Sequence, residues 1–399
     1  MKLHLILLAL AITVWSPLSA PAQAQATREH QALLDFASEL DAAAAAPDFV
    51  GLAVAVVKDG RVALMRTYGV TEAGGTQRVT PNTVFRLASL SKGFAGTLAA
   101  LYQSEARLDL GARAVTYAPQ LRLRRMQDTQ AVTLEHVLTH SVGLPPYAYD
   151  NLLEAGVAVK DILSRYADVK PTCRPGACFT YQNTTFNIIA DAIARQAGRP
   201  FEAELQTRIL GPLGMTDASF GRQGLISSGN WARPHRRVGD GWTPTPVTEP
   251  YYRLPAAGGM NASISDMSQW LIAQMGGRPD VLSAGVLAEA HRSRIDTPPE
   301  TSRQRTLKTP VTQTAYGLGW RVYTYAGRRL ITHTGSVEGF FAHIGWLPDQ
   351  KAGIVVLSNT RGSRGARIMP TWLDYELGLP KTDWLRLSET GAAGAISRP

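Results

Sequence analysis

The chain has 399 residues with an ordinary globular share of apolar side chains (45%), which suffices for a sizeable core in one large or two interleaved domains. Its net charge of +9 is carried mostly by arginine and is spread out, the tightest cluster being Arg122, Arg124 and Arg125. Without a basic stripe interleaved with aromatics, this charge argues against a nucleic-acid partner and for a solvated surface with a modest attraction for anionic substrates or envelope polymers.

The first 26 residues read as a secretory signal peptide. Met1-Lys2 is followed by an apolar run over residues 3–15, too short to span a membrane, and both Ala22-Gln23-Ala24 and Ala24-Gln25-Ala26 fit a cleavage site. An uncleaved anchor is the alternative. No later stretch is apolar enough to cross a bilayer, so the mature chain is expected to be periplasmic or secreted. The two cysteines, Cys173 and Cys178, flank the turn signal Pro175-Gly176, and in an oxidising compartment they are expected to form a disulfide. With no histidine nearby, Cys-x4-Cys is a poor zinc pattern.

In chain order, residues 29–45 predict a helix, and residues 51–58 and 61–68 predict two strands joined at Asp59-Gly60, a strong hairpin signal. A helix opens at Ser89 and carries the apolar run 95–101; further helical stretches begin at Thr133 and cover residues 186–196. A glycine-rich loop over residues 255–277 leads into a helix with Ser265-Asp266 near its start. Residues 317–323, 329–334, 340–347 and 353–358 predict consecutive strands, and residues 368–377 a closing helix. This order predicts an α/β fold: an antiparallel sheet flanked by helices, built from residues 27–88 and 310–385, with a mainly helical region (89–309) inserted and a C-terminal tail (386–399).

Three stretches carry candidate chemistry. Ser89 and Lys92 have the spacing Ser-x-x-Lys, which on a helix places the amine one turn from the hydroxyl on the same face. Serine is a weak nucleophile, and lysine activates it only if its own pKa is lowered; the apolar and small neighbours of Lys92 suit that. Alone, the spacing also fits a simple N-cap serine. Tyr181-Gln182-Asn183 presents a phenol and an amide on one side of a loop. A phenol beside a buried ammonium is expected to have its pKa lowered and to shuttle a proton, while the amide orients lysine and substrate. Thr332-His333-Thr334-Gly335-Ser336 ends a strand with a glycine that lets a ligand backbone approach.

Taken together and in this order, the three stretches resemble the penicillin-recognising serine hydrolases, specifically class C-type β-lactamases and their DD-peptidase and esterase relatives. Residues 51–59, 85–92, 138–144, 213–216, 257–260 and 332–359 look like that superfamily as well. The resemblance implies that Ser89 becomes acylated, that Lys92 and Tyr181 handle the proton, and that Asn183 positions the substrate. It implies an oxyanion hole from the backbone N–H groups of Ser89 and Ser336, and substrate binding along His333, Thr334, Gly335 and Ser336, with Thr334 and Ser336 on the substrate carboxylate. No local sign of a separate deacylating glutamate is present.

His333 departs from the lysine that most β-lactamases carry there. Read from sequence, it is an imidazole mostly neutral at pH 7, with a weaker attraction for a substrate carboxylate than lysine, whose protonation below about 6.5 is expected to aid catalysis. The motif set requires no cofactor; a divalent metal at His333 is the minor alternative. His136 and His140, spaced i, i+4, read as structural. The expected function is an exported serine hydrolase opening β-lactam rings through a Ser89 acyl-enzyme. The alternatives are a DD-peptidase or esterase using the same residues on D-Ala-type peptides or esters, and a penicillin-binding sensor that is acylated without turnover. Sequence leaves the oligomeric state open.

Overall fold

Where Asp59-Gly60 separates two apolar runs, β1 (Gly51–Lys58) and β2 (Arg61–Gly69) pair antiparallel with Lys58 opposite Arg61. Asp59 and Gly60 both take positive φ (49° and 74°), as a two-residue primed turn requires. The computed structural model describes residues 20–362 and 364–388. The apolar run 3–15 and the end of the tail from residue 389 lie outside the described residues. Helix α1 (Ala20–Ala44) begins nine residues before its expected start at Glu29 and runs through both candidate cleavage sites.

The main sheet has eight strands, all paired antiparallel. Besides β1 and β2 it contains β3 (Ile295–Asp296), β4 (Val311–Tyr316), β5 (Arg321–Tyr325), β6 (Arg328–Val337), β7 (Phe340–Leu347) and β8 (Ala352–Ser358), in the order β2-β1-β8-β7-β6-β5-β4-β3. Both ends of the chain thus meet at the β1–β8 pairing, with Leu52 opposite Ser358. β1 is buried on both faces, and alternation divides its side chains. Leu52, Val54 and Val56 pack with Phe36, Leu40 and Trp372 from α1 and the closing helix α8 (Ile368–Leu377). Ala53, Ala55 and Val57 join the larger core on the other face. Their small size suits close packing by α6 (Ile264–Gln274), whose start is fixed by a capping box between Ser263 and Asp266.

The inserted helices cover that second face. α2 (Ser91–Ser104) is buried over nearly its whole length. It lies so close to the β4–β5 connection that a Cβ on Gly96 would sit 1.9 Å from the Leu318 carbonyl oxygen, and one on Gly319 2.1 Å from that of Lys92. This contact explains why the strand expected over 317–323 begins only at Arg321. Residues 317–320 do not continue a strand from 317 to 323 but turn between β4 and β5, Gly319 admitting the α2 backbone. α3 (Leu134–Leu138), α4 (Asp150–Glu154), α5 (Ile188–Ala197) and α7 (Pro298–Thr306) complete the surroundings of the site. Among the described residues no helix is long and apolar enough to cross a membrane.

Candidate active site

Ser89 does not cap α2. It sits in a short 3-10 turn (Ala88–Leu90) ahead of the helix, preceded by Ala88 at φ +48°, a left-handed conformation uncommon for alanine. The turn leaves Ser89 partly exposed between buried neighbours. It is pinned by Ser91, whose hydroxyl donates to the Ala88 carbonyl (2.7 Å) and accepts from the Met260 N–H (3.1 Å).

Lys92 lies in the first turn of α2 with no exposed surface. Its Nζ is 3.2 Å from Ser89 Oγ, 2.8 Å from Asn183 Oδ1 and 2.9 Å from the Ala257 carbonyl oxygen. Burial pulls its ammonium down to about 7, opposed by the Asp150 charge and assisted by that of Arg321. In the neutral amine, two N–H bonds serve Asn183 and Ala257, and the lone pair faces the Ser89 hydroxyl. That is the geometry of a base beside its nucleophile.

Tyr181 and Asn183 are brought to Lys92 by the loop after the Cys173–Cys178 disulfide, which is present. The bridged segment docks on the 140–143 turn: Thr172 N–H donates to Gly143 O, Gly176 N–H to Ser141 O and Thr180 N–H to His140 O. Tyr181 is buried, its ring centroid 4.8 Å from Lys92 Nζ. The expected lowering of its phenol does not occur. Burial raises it, and the Arg321 charge and a hydrogen bond with Ser89 offset this only in part. Tyr181 is therefore a proton donor at neutral pH and not a standing phenolate. Asn183 accepts from Lys92 and donates through Nδ2 to Asp150 Oδ2 at 2.7 Å.

The strand motif meets Ser89 from the sheet side. On β6, a Cβ at Gly335 would lie 2.1 Å from the Leu87 carbonyl oxygen and 3.1 Å from the Ser89 nitrogen, so glycine alone permits the approach. Thr334 is half-buried and Ser336 exposed, so both are open to a ligand.

His333 behaves unlike its sequence expectation. It has no exposed surface, and burial, with the charges of Arg321 and Lys92, holds its imidazole well below its ordinary value, so it stays neutral. It closes a relay of hydrogen bonds that a single set of tautomers satisfies throughout. The Gln182 N–H donates to His140 Nδ1 (3.2 Å), and His140 Nε2–H to Tyr316 Oη (3.2 Å). The Tyr316 hydroxyl donates to His333 Nε2 (2.9 Å), and His333 Nδ1–H to the Thr334 carbonyl oxygen (2.9 Å). The relay ties the Tyr181 loop to β6. In this arrangement the lone pair of His333 that a metal would need is taken by the Tyr316 hydroxyl. His140 packs against Tyr181 with ring centroids 4.2 Å apart and planes tilted by 35°, and His136 accepts from the Thr133 N–H at the start of α3; both rings are taken up in packing and hydrogen bonds.

Three residues outside the motifs belong to the site. Arg321 supplies the cation that His333 does not, its guanidinium 5.6 Å from the Tyr181 ring centroid and paired with Glu300 of α7. Tyr316 anchors the relay, and Asp150 holds Asn183. Arg321 was findable by counting back from the Ala326-Gly327 turn, which sets it opposite Thr332. Asp150 and Tyr316 left no local signal.

A family model described as Beta-lactamase matches residues 36–377. The chain is 24% identical to Protein flp of Staphylococcus aureus over 317 residues, which is 77% of this chain and 59% of that protein. It is 24% identical to the unguisins hydrolase ungD of Aspergillus violaceofuscus over 370 residues, 84% of this chain and 63% of that protein. The chain thus spans less than two thirds of these curated relatives. Among solved structures, the octameric penicillin-binding protein homologue from Pyrococcus abyssi shares the fold, with a TM-score of 0.75 and 24% identity over 87% of this chain and 78% of that one. The family match takes in all three motifs and every strand of the main sheet, and the chain belongs to the Beta-lactamase family, within the penicillin-recognising serine hydrolases.

Proposed function

We propose that the protein is an exported, class C-like β-lactamase, periplasmic or secreted, that opens β-lactam rings through an acyl-enzyme on Ser89 with no cofactor beyond its own side chains. The observation carrying this is Lys92: fully buried, at about 7, and 3.2 Å from the Ser89 oxygen. In acylation the Lys92 amine takes the Ser89 proton as Oγ attacks the lactam carbonyl carbon, and the carbonyl electron pair moves to oxygen. The backbone N–H groups of Ser89 and Ser336 receive that oxyanion. Collapse breaks the C–N bond. The leaving nitrogen takes the Tyr181 proton, and the Lys92 ammonium restores the phenol. In deacylation water attacks the ester and gives its proton through the same pair, and Ser89 Oγ leaves with a proton. Asn183 orients the substrate; Thr334 and Ser336 receive its carboxylate.

A second reading, an esterase or DD-peptidase on the same residues, is favoured by the charges on the substrate side. His333 is neutral, and the Arg321 cation is already engaged by Glu300, so carboxylate attraction is weak. Turnover of a chromogenic cephalosporin, a p-nitrophenyl ester and a D-Ala-D-Ala peptide, compared side by side, separates these readings. Fast cephalosporin turnover supports the first, and preference for ester or peptide the second. Acylation by a β-lactam with no turnover of any of the three would identify a sensor.

A further inference from the structure

The strongest unassigned group lies behind the site. Asp150 begins α4 and is buried, 8% exposed, yet its carboxylate is poorly served. Oδ2 accepts from Asn183 Nδ2 (2.7 Å), and Oδ1 has no partner. The Tyr251 hydroxyl, 3.3 Å from Oδ2, stands closer to Glu154 (2.8 Å) and has one proton to give. A buried carboxylate with one firm donor is costly, and it stands one residue removed from the catalytic amine through the chain Lys92–Asn183–Asp150.

We propose that Asp150 is a positioning residue: its carboxylate fixes the Asn183 amide with the oxygen toward Lys92 and places one negative charge behind the lysine. This rests on the reading of Lys92 as base to Ser89. An asparagine amide has two faces, and only an acceptor on its nitrogen side stops it from presenting N–H groups to the lysine. Asp150 is that acceptor. Its charge also favours the ammonium form of Lys92 against the desolvation that drives the amine neutral. The other groups facing Lys92 are Arg321 from β5, which opposes Asp150, and Tyr181, a phenol. His140 and His333 stay neutral, held well below their ordinary value. Around Asp150 itself stand Asn183, Tyr251 and Glu154. Asp150 thus holds Lys92 near neutrality instead of far below it, where it would be too weak a base.

The test is the pH profile of kcat/KM for the wild type, Asp150→Asn and Asp150→Ala on whichever substrate the wild type turns over, with thermal unfolding to confirm folding. Asp150→Asn keeps an oxygen for the Asn183 amide and loses the charge. Its acid limb is expected to move to lower pH by about one unit with the plateau largely kept. Asp150→Ala loses both and is expected to drop tenfold or more in plateau kcat with little change in KM. An unchanged acid limb in Asp150→Asn, or a wild-type plateau in Asp150→Ala, overturns the proposal while leaving the Ser89 reading intact. A wild type inert to the whole substrate panel and to acylation overturns both.

Discussion

Tyr316 Oη donates to His333 Nε2 across 2.9 Å, and this bond occupies the one lone pair through which the imidazole could take up a proton. The histidine of the strand motif therefore acts as a spacer and hydrogen-bond acceptor, not as a charge. Activity should show no gain below the ordinary imidazole range, about 6.5. It should fall there, because Lys92, at about 7, becomes fully protonated and loses its lone pair as pH drops. The wild-type profile of kcat/KM from pH 5 to 9 checks this; a rise on the acid side would show that His333 titrates.

Tyr316→Phe should cut the relay in the middle, leaving His140 Nε2 and His333 Nε2 each without a partner. One buried unsatisfied group costs about 1–3 kcal/mol. Urea unfolding should register a loss of that size, with reduced kcat because the Tyr181 loop and β6 are no longer tied together.

Arg321 and Asp150 push Lys92 in opposite directions. Arg321→Gln should raise the lysine and move the acid limb to higher pH, opposite in sign to the charge loss at Asp150. Glu300→Gln should release the guanidinium, lowering KM severalfold for carboxylate-bearing substrates while leaving neutral esters unchanged. Steady-state kinetics on a matched acid and ester pair reads both effects.

Gly335→Ala should abolish acylation, since the new Cβ falls 2.1 Å from the Leu87 carbonyl and the β6 strand must retreat from Ser89. Rigid backbone on both sides leaves no flexible side chain to yield, and overpacking of this kind costs about 1–3 kcal/mol. Time-resolved mass spectrometry with a slow β-lactam should show the adduct missing from a folded variant.

The Cys173–Cys178 bridge closes a small loop whose removal should cost about 2 kcal/mol by chain entropy. Thiol titration of unreduced, denatured protein should find no free thiol. The double serine variant should melt earlier and show a raised KM, because the bridged segment braces the loop carrying Tyr181 and Asn183.

What the sequence made legible follows from the range of the forces involved. The Asp59-Gly60 hairpin and the closing helix 368–377 are encoded by turn chemistry and periodicity a few residues long, and both stand where they were expected. The three motifs converge on one site because each is a short pattern bearing its own chemistry. The strand expected over 317–323 begins only at Arg321 because Gly319 answers to α2, more than 200 residues earlier in the chain, and not to its neighbours. Asp150 and Tyr316 escape notice for a related reason, since they meet Asn183 and His333 only when separate elements pack, whereas Arg321 could have been placed from the local hairpin register. The lowered phenol expected of Tyr181 and the titration expected of His333 both fail because burial is a property of the assembled core; at Tyr181 it outweighs the Arg321 charge, and at His333 it acts in the same direction as the Arg321 and Lys92 charges.

The central claim is that Ser89 is the nucleophile and Lys92 its base. Intact-mass spectrometry of the protein incubated with a slowly hydrolysed β-lactam, followed by peptide mapping, tests it most directly. The account predicts one adduct, on the peptide containing Ser89, absent in Ser89→Ala and forming orders of magnitude more slowly in Lys92→Ala. An adduct on any other residue, or full activity in Ser89→Ala, would contradict it.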